Sequence, residues 1–182
     1  MTEAVQLFAT LLALSANAAT IALVCAHVVA QRRPSTGAGR WAADALDQVA
    51  SDAVVLAWLV AVTATLGSLY FSEVANFTPC TLCWYQRIAM YPLAVVLGVA
   101  ALRHDASVRV YVWPLTAIGA FVAVYHYLLE WFPDLESGVC SASVPCDVVW
   151  FREFGFATLS YTALSGFLLI AVLLIPPIAK ER

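Results

Sequence analysis

Cys80 and Cys83 stand three residues apart in Pro79-Cys80-Thr81-Leu82-Cys83-Trp84-Tyr85-Gln86-Arg87, at the head of an apolar run. Two sulfurs at this spacing can close a small disulfide ring and reopen it. In the chain-entropy description a cross-link stabilises more as the loop it closes grows longer. A ring this small adds little by that route, which favours redox work over stapling; a structural ring is the plainer alternative. If the next helix starts here, with Thr78 as N-cap and Pro79 at its first position, both sulfurs lie at its positive end. A helix N-terminus and a nearby cation both favour thiolate, the reactive form. Arg87 follows Cys83 by four residues and is its neighbour one helical turn on.

A second pair, Cys140 and Cys146, lies in the turn-rich stretch Ser137-Gly138-Val139-Cys140-Ser141-Ala142-Ser143-Val144-Pro145-Cys146-Asp147. By itself it suits a structural loop disulfide as well as a redox one, and either belongs outside the cytoplasm. Two pairs in two loops of one small chain suggest a relay, since thiol–disulfide exchange passes oxidising equivalents through mixed disulfides. Four thiolates can also bind zinc, for which Cys-x-x-Cys is a common half-site; the five residues between Cys140 and Cys146 are more than that pattern favours. Cys25, alone in an apolar run, is expected to be an inert buried thiol. Arg87 can snorkel to an interface or stabilise an anionic acceptor beside the first pair. His126, an ionisable residue near the end of an apolar run, is either hydrogen-bonded in place or part of a site.

The elements that position these residues are membrane spans. The 182 residues are 63% hydrophobic and only 12% charged, whereas soluble domains are about half apolar and a quarter charged. The net charge of −3 carries no nucleic-acid signal. A spanning helix needs about 20 mostly apolar residues, and five runs qualify or nearly so: 4–30, 53–71, 84–102, 110–129 and 154–175, with Pro92 a possible kink in the third. Residues 41–52 form either a short surface helix or an extension of the second span. With five alternating spans, Arg32, Arg33, Arg40, Arg103, Arg109, Lys180 and Arg182 share one side, and only Arg87 and Arg152 fall on the other. Positive residues mark the cytoplasmic side, so the N-terminus and both cysteine loops are expected outside and the C-terminus inside. Reading the first run instead as a cleaved signal peptide, with Ala16-Asn17-Ala18 as the cleavage site, would reverse this. Trp84, Tyr85, Tyr111, Trp113, Trp131 and Trp150 sit near run ends, as an interfacial aromatic belt does.

A thiol pair that makes disulfides must pass two electrons on. No flavin or dinucleotide fingerprint is present, and a lipid-soluble quinone would reach the pair through the bilayer without one. Here the residues resemble a known family, the DsbB/BdbC disulfide bond formation proteins. The resemblance is carried by residues 79–87 ahead of an apolar helix, by Tyr125-His126-Tyr127, and by Val144-Pro145-Cys146 with residues 150–155 before a last span; it covers roughly residues 53–175. The gap between Cys140 and Cys146 looks like the BdbC branch.

The resemblance implies an all-α, polytopic four-helix membrane bundle over residues 53–182. Residues 1–52 add a transmembrane helix and a cytoplasmic loop beyond the family pattern. It implies an enzyme that reoxidises a thioredoxin-fold, DsbA/BdbD-like thiol oxidase outside the membrane and passes electrons to ubiquinone or menaquinone. Carried over, Cys83 would face the quinone, Cys80 would exchange with Cys146, and Cys140 would receive the partner's thiolate; Arg87 and His126 would line the quinone site. Two other functions stand against this one. A vitamin K epoxide reductase-type enzyme would place the loop pair before the Cys-x-x-Cys, the reverse of the order here. A metal-binding sensor would use the four thiolates.

Overall fold

The computed structural model describes residues 2–141 and 143–176. Among them run α1 (Thr2–Arg32), α2 (Gly37–Leu69), α3 (Thr81–Arg103), α4 (Arg109–Leu129) and α5 (Leu159–Leu173). A π-helical turn, Tyr70–Val74, prolongs α2. Four segments, Thr2–Arg32, Gly37–Val74, Thr81–Arg103 and Ala106–Leu129, are long and apolar enough to cross a membrane, and α5 is apolar but shorter. Helices close their backbone hydrogen bonds internally, as a bilayer demands. This is the make-up of an all-helical, multi-pass membrane protein.

Residues 41–52 belong to α2, which starts at Gly37 with Thr36 as N-cap; the Thr36 hydroxyl accepts from Gly39 N at 3.1 Å. Pro92 and Pro114 lie inside α3 and α4 without ending them. The fifth helix is shorter than its apolar run, because residues 153–157 fold into a tight turn. Phe154 and Gly155 both take positive φ there, 52° and 79°, and Glu153 pairs with Ala157. Thr158 then caps α5. Lys180 and Arg182 lie outside the described residues.

Small residues bring the helices close. Ala53, Ala57 and Ala61 repeat every four positions on α2 and are fully buried, so neighbouring backbones approach closely. They share one core with Leu93 and Leu97 of α3, Val112 and Ala123 of α4, and Phe167 and Ile170 of α5. At Gly119 a Cβ would come within 2.3 Å of the Phe167 ring, so that α4–α5 contact admits only glycine. α1 packs on α2 and α5. Asn17 Nδ2 donates to Tyr161 Oη at 2.7 Å and to Ser165 Oγ at 2.9 Å, fixing the register between α1 and α5.

Alternation of the helices sets the site. The segments joining α2 to α3 and α4 to α5 emerge at one end of the bundle, and Arg33, Arg103 and Arg109 at the other. The buried stripe of α4, Val112, Thr116, Gly119, Ala123 and His126, follows the three-and-four spacing of a helix face. The stripe ends on His126 and Leu129, at the cysteine end.

Candidate redox site

α3 begins later than Thr78 and Pro79 suggest, because Cys80 itself is the N-cap, with extended backbone at φ −75° and ψ 174°. Its sulfur accepts from Cys83 N at 3.3 Å. The orphan N–H groups of a first turn need an acceptor, and here a sulfur fills the place usually held by an oxygen. The Cys80 and Cys83 sulfurs are 3.0 Å apart and share a hydrogen bond. Hydrogen bonding by Cys83 brings the Cys80 thiol down to about 4, against burial and with help from His126. Cys80 therefore holds the thiolate in the reduced pair, at the positive end of α3.

His126 joins the two cysteine segments. Its Nε2 lies 3.6 Å from Cys80 Sγ and 3.1 Å from the Cys146 carbonyl oxygen. A carbonyl only accepts, so Nε2 carries a proton. Nδ1 faces the side-chain amide of Gln86 at 3.1 Å. An amide can present either its NH2 or its oxygen, so the same frame holds a neutral or a charged imidazole.

Cys140 and Cys146 form a disulfide with Cα atoms 5.8 Å apart. Cys146 is buried and shares an apolar cluster with Cys80, Leu82 and Leu129; Cys140 is half-buried at its edge. All four paired cysteines thus meet at one end of the bundle. Cys25 does not join them. Contrary to expectation it is exposed, because α1 is an outer helix docked on one side only.

Two cavities meet at the first pair. The smaller, about 220 Å³, is lined by Cys80, Cys83, His126, Glu130, Pro145 and Trp150 among others. The larger, about 840 Å³, has Cys83, Gln86, Arg87 and Tyr91 at its polar end and apolar walls from α1, α2 and α5. Cys83 lines both; Cys80 lines only the smaller. Arg87 Nη2 donates to the Ser68 carbonyl at 3.1 Å, just before the π turn, and its guanidinium lies 5.2 Å from the Trp84 ring centre. Tyr91 donates to Ser68 Oγ at 3.2 Å. Phe71, Phe77 and Trp150 stack in sequence, with centroids 5.6 Å and 4.7 Å apart, over the larger cavity.

The residue types alone do not single out Gln86, Glu130, Ser68 or Tyr91, while Trp150, expected in an interfacial aromatic belt, lines both cavities. Spacing carried part of the signal: Gln86 and Glu130 fall three and four residues after Cys83 and His126, one turn on. Glu130 Oε1 accepts from Ser160 Oγ at 2.8 Å, while Oε2 is buried and has no partner among the described residues. Burial raises the Glu130 carboxyl, against hydrogen bonds from Thr158 and Ser160 and the charges of His126 and Arg152.

A helical membrane bundle that gathers two cysteine pairs at one end, beside a cavity with one arginine at its polar end, is the class this geometry defines. Residues 50–175 match the family described as disulfide bond formation protein DsbB, and the chain belongs to that family. It is similar to disulfide bond formation protein C of Bacillus subtilis, 49% identical over 117 residues, which cover 63% of this chain and 84% of that protein. A probable disulfide formation protein of Oceanobacillus iheyensis is 43% identical over 130 residues, 70% of this chain and 90% of the relative. Probable disulfide formation protein C 1 of Bacillus anthracis is 44% identical over 121 residues, 66% and 87%. No solved structure matches the chain. The family segment starts within α2, so α1 lies outside it.

Proposed function

We propose that this protein is a thiol:quinone oxidoreductase that reoxidises a thioredoxin-fold thiol oxidase outside the cytoplasmic membrane and so sustains disulfide formation. The observation that carries it is the position of Cys83, shared between the sulfur cluster and the large apolar cavity that also holds Arg87. The relatives' names as disulfide formation proteins agree with it. Residues 53–182 are then the redox domain and residues 1–52 an added helix and loop. Both cysteine loops face outward, opposite Arg33, Arg40, Arg103 and Arg109.

The cavity suits a quinone. Ligand sites of this kind run to about 300–1,000 Å³, mostly apolar with few polar groups. Here Gln86, Arg87 and Tyr91 would hold the polar ring and the apolar walls its tail. A bound quinone, ubiquinone or menaquinone, supplies a sink for two electrons and two protons and leaves as quinol.

The sulfurs divide the rest. The partner's thiolate attacks Cys140, the less buried member of its disulfide, and Cys146 leaves; the partner's second thiol then frees Cys140 and departs as a disulfide. Cys146 thiolate attacks Cys80 of the first disulfide, and Cys83 leaves as thiolate beside Arg87. Cys140 resolves the Cys146–Cys80 bond, which restores the second disulfide and leaves Cys80 and Cys83 reduced, the state described above. Closing the Cys80–Cys83 bond releases two electrons to the acceptor, with two protons to match. One dithiol is oxidised for each quinone reduced, and no further reagent enters. His126 keeps Cys80 and Cys146 in reach and can carry a proton at Nδ1.

The test is purified protein with a reduced thioredoxin-fold partner and quinone. One quinol should form per partner disulfide, and turnover should vanish in Cys83→Ser. Quinone-independent oxidation, or turnover by Cys83→Ser, would overturn the scheme. One observation favours a second function: Cys80 Sγ, Cys83 Sγ and a His126 nitrogen lie within 4.8 Å of one another, close enough to share a metal ion. Stoichiometric zinc in the reduced protein, lost in Cys80→Ser and unaccompanied by quinone reduction, would establish a metal sensor instead.

A further inference from the structure

We propose that α1 is a built-in wall of the acceptor cavity and that it selects acceptors by their apolar tail. This presupposes the quinone acceptor proposed above and adds which part of the chain reads which part of the molecule.

α1 lies outside the family segment at residues 50–175, yet it lines the large cavity from Val5 to Ala19. That strip spans about 20 Å at the α-helical rise of about 1.5 Å per residue, far longer than one quinone ring. The opposing wall, on α2 and the π turn that prolongs it, runs from Leu59 to Ser72. The polar groups Cys83, Gln86 and Arg87 gather on the first two turns of α3, at the cysteine end. The remainder is a slot that runs along the bundle axis away from them. α1 contributes Val5, Phe8, Leu12, Ala13 and Ala16 to it and no charged residue. The shape is that of a ring at one end and a chain along the rest.

α1 is held where a wall must be. Asn17 donates both of its amide hydrogens across to α5, at 2.7 Å and 2.9 Å. Hydrogen bonds between helices in a bilayer fix register, so α1 is locked directly beside Ala16, which lines the slot. Without α1, the α2 and α5 surfaces on this side would meet lipid directly. An acceptor with a long apolar tail gains contact along this strip, and one without a tail gains none of it.

The test uses the full chain in detergent or vesicles. A quinone bearing a photoreactive group at the end of its tail should label α1 peptides in the wild-type protein, and excess long-tailed quinone should suppress the labelling. Ala16→Trp, which fills the strip, should raise Kd for a long-tailed quinone about tenfold relative to a tail-less one, read by quenching of tryptophan fluorescence. Ile21→Trp, on the exposed side of the same helix, should leave that ratio at the wild-type value. Labelling confined to α2 and α5, or equal loss of long-tailed and tail-less binding in Ala16→Trp, would overturn the role of α1. Failure of the wild type to bind or reduce either quinone would instead overturn the function it presupposes.

Discussion

The two cysteine pairs differ in almost everything but their sulfur. Cys80 and Cys83 sit on the first turn of a 23-residue helix, with backbone, histidine and neighbouring sulfur all aimed at Cys80. Cys140 and Cys146 sit in a long connection whose regular structure amounts to one 3-10 turn, Pro133–Leu135, and two isolated bridges, Ser141 with Val144 and Glu153 with Ala157. One pair is held in a fixed field at the membrane edge, and the other displays one sulfur while burying its mate. A pair that must face a small molecule in one spot gains from rigidity. A pair that must meet a protein gains from exposure, and only half of it needs that.

The largest test of this contrast is Cys83→Ser, which should drop quinone-dependent turnover to the uncatalysed background, because it removes the one sulfur common to both cavities. Cys140→Ala should be as damaging with the protein partner yet selective. Reduced Cys80 and Cys83 should still be reoxidised by quinone in single-turnover thiol trapping; loss of that step as well would mean that the two pairs are not separable. Arg87→Ala should raise the KM for quinone about 10- to 100-fold, the equivalent of one charge-assisted hydrogen bond of about 1.5–3 kcal/mol. The KM for the partner should stay put, and equal change in both would return Arg87 to an interfacial anchor.

Acid titration probes the fixed pair more gently. Cys80 is lowered to about 4, so alkylation of the reduced protein at Cys80 should be nearly as fast at pH 6 as at pH 8. A depressed thiol stabilises the fold fully above its ordinary value near 9 and loses that contribution as pH falls through about 4. Reduced wild-type protein should therefore lose more thermal stability than Cys80→Ser on acidification to pH 4. The smallest effect is expected at Glu130, whose carboxyl is raised by burial. A raised carboxyl favours folding below its ordinary value and opposes it as pH rises through the folded one. Glu130→Gln should thus gain thermal stability over wild type as pH climbs from 5 to 8, and a constant difference would mean that Glu130 does not titrate there.

Composition and run length carried the all-helical membrane fold, because a bilayer enforces a minimum span and punishes charge. The finer boundaries escaped for physical reasons. Cysteine is not a customary cap, so Thr78 and Pro79 looked like the start of α3 although a sulfur held that place. The start of the fifth run is a turn because Phe154 and Gly155 both adopt left-handed backbone, which an apolar stretch conceals. Gln86 and Glu130 are ordinary residues until α3 and α4 face each other across His126. The lining role of α1 was beyond reach, since a helix apolar on nearly every side has no periodic contrast to show which face meets protein.

Trp150 belongs to the same connection as the Cys140–Cys146 bridge and stacks on Phe77, three residues ahead of Cys80. The roof tile over the greasy slot is therefore carried by the very strap that a visiting protein would press upon. A guest arriving from the aqueous side and another lying in the lipid would feel each other through one indole ring, without sharing an atom.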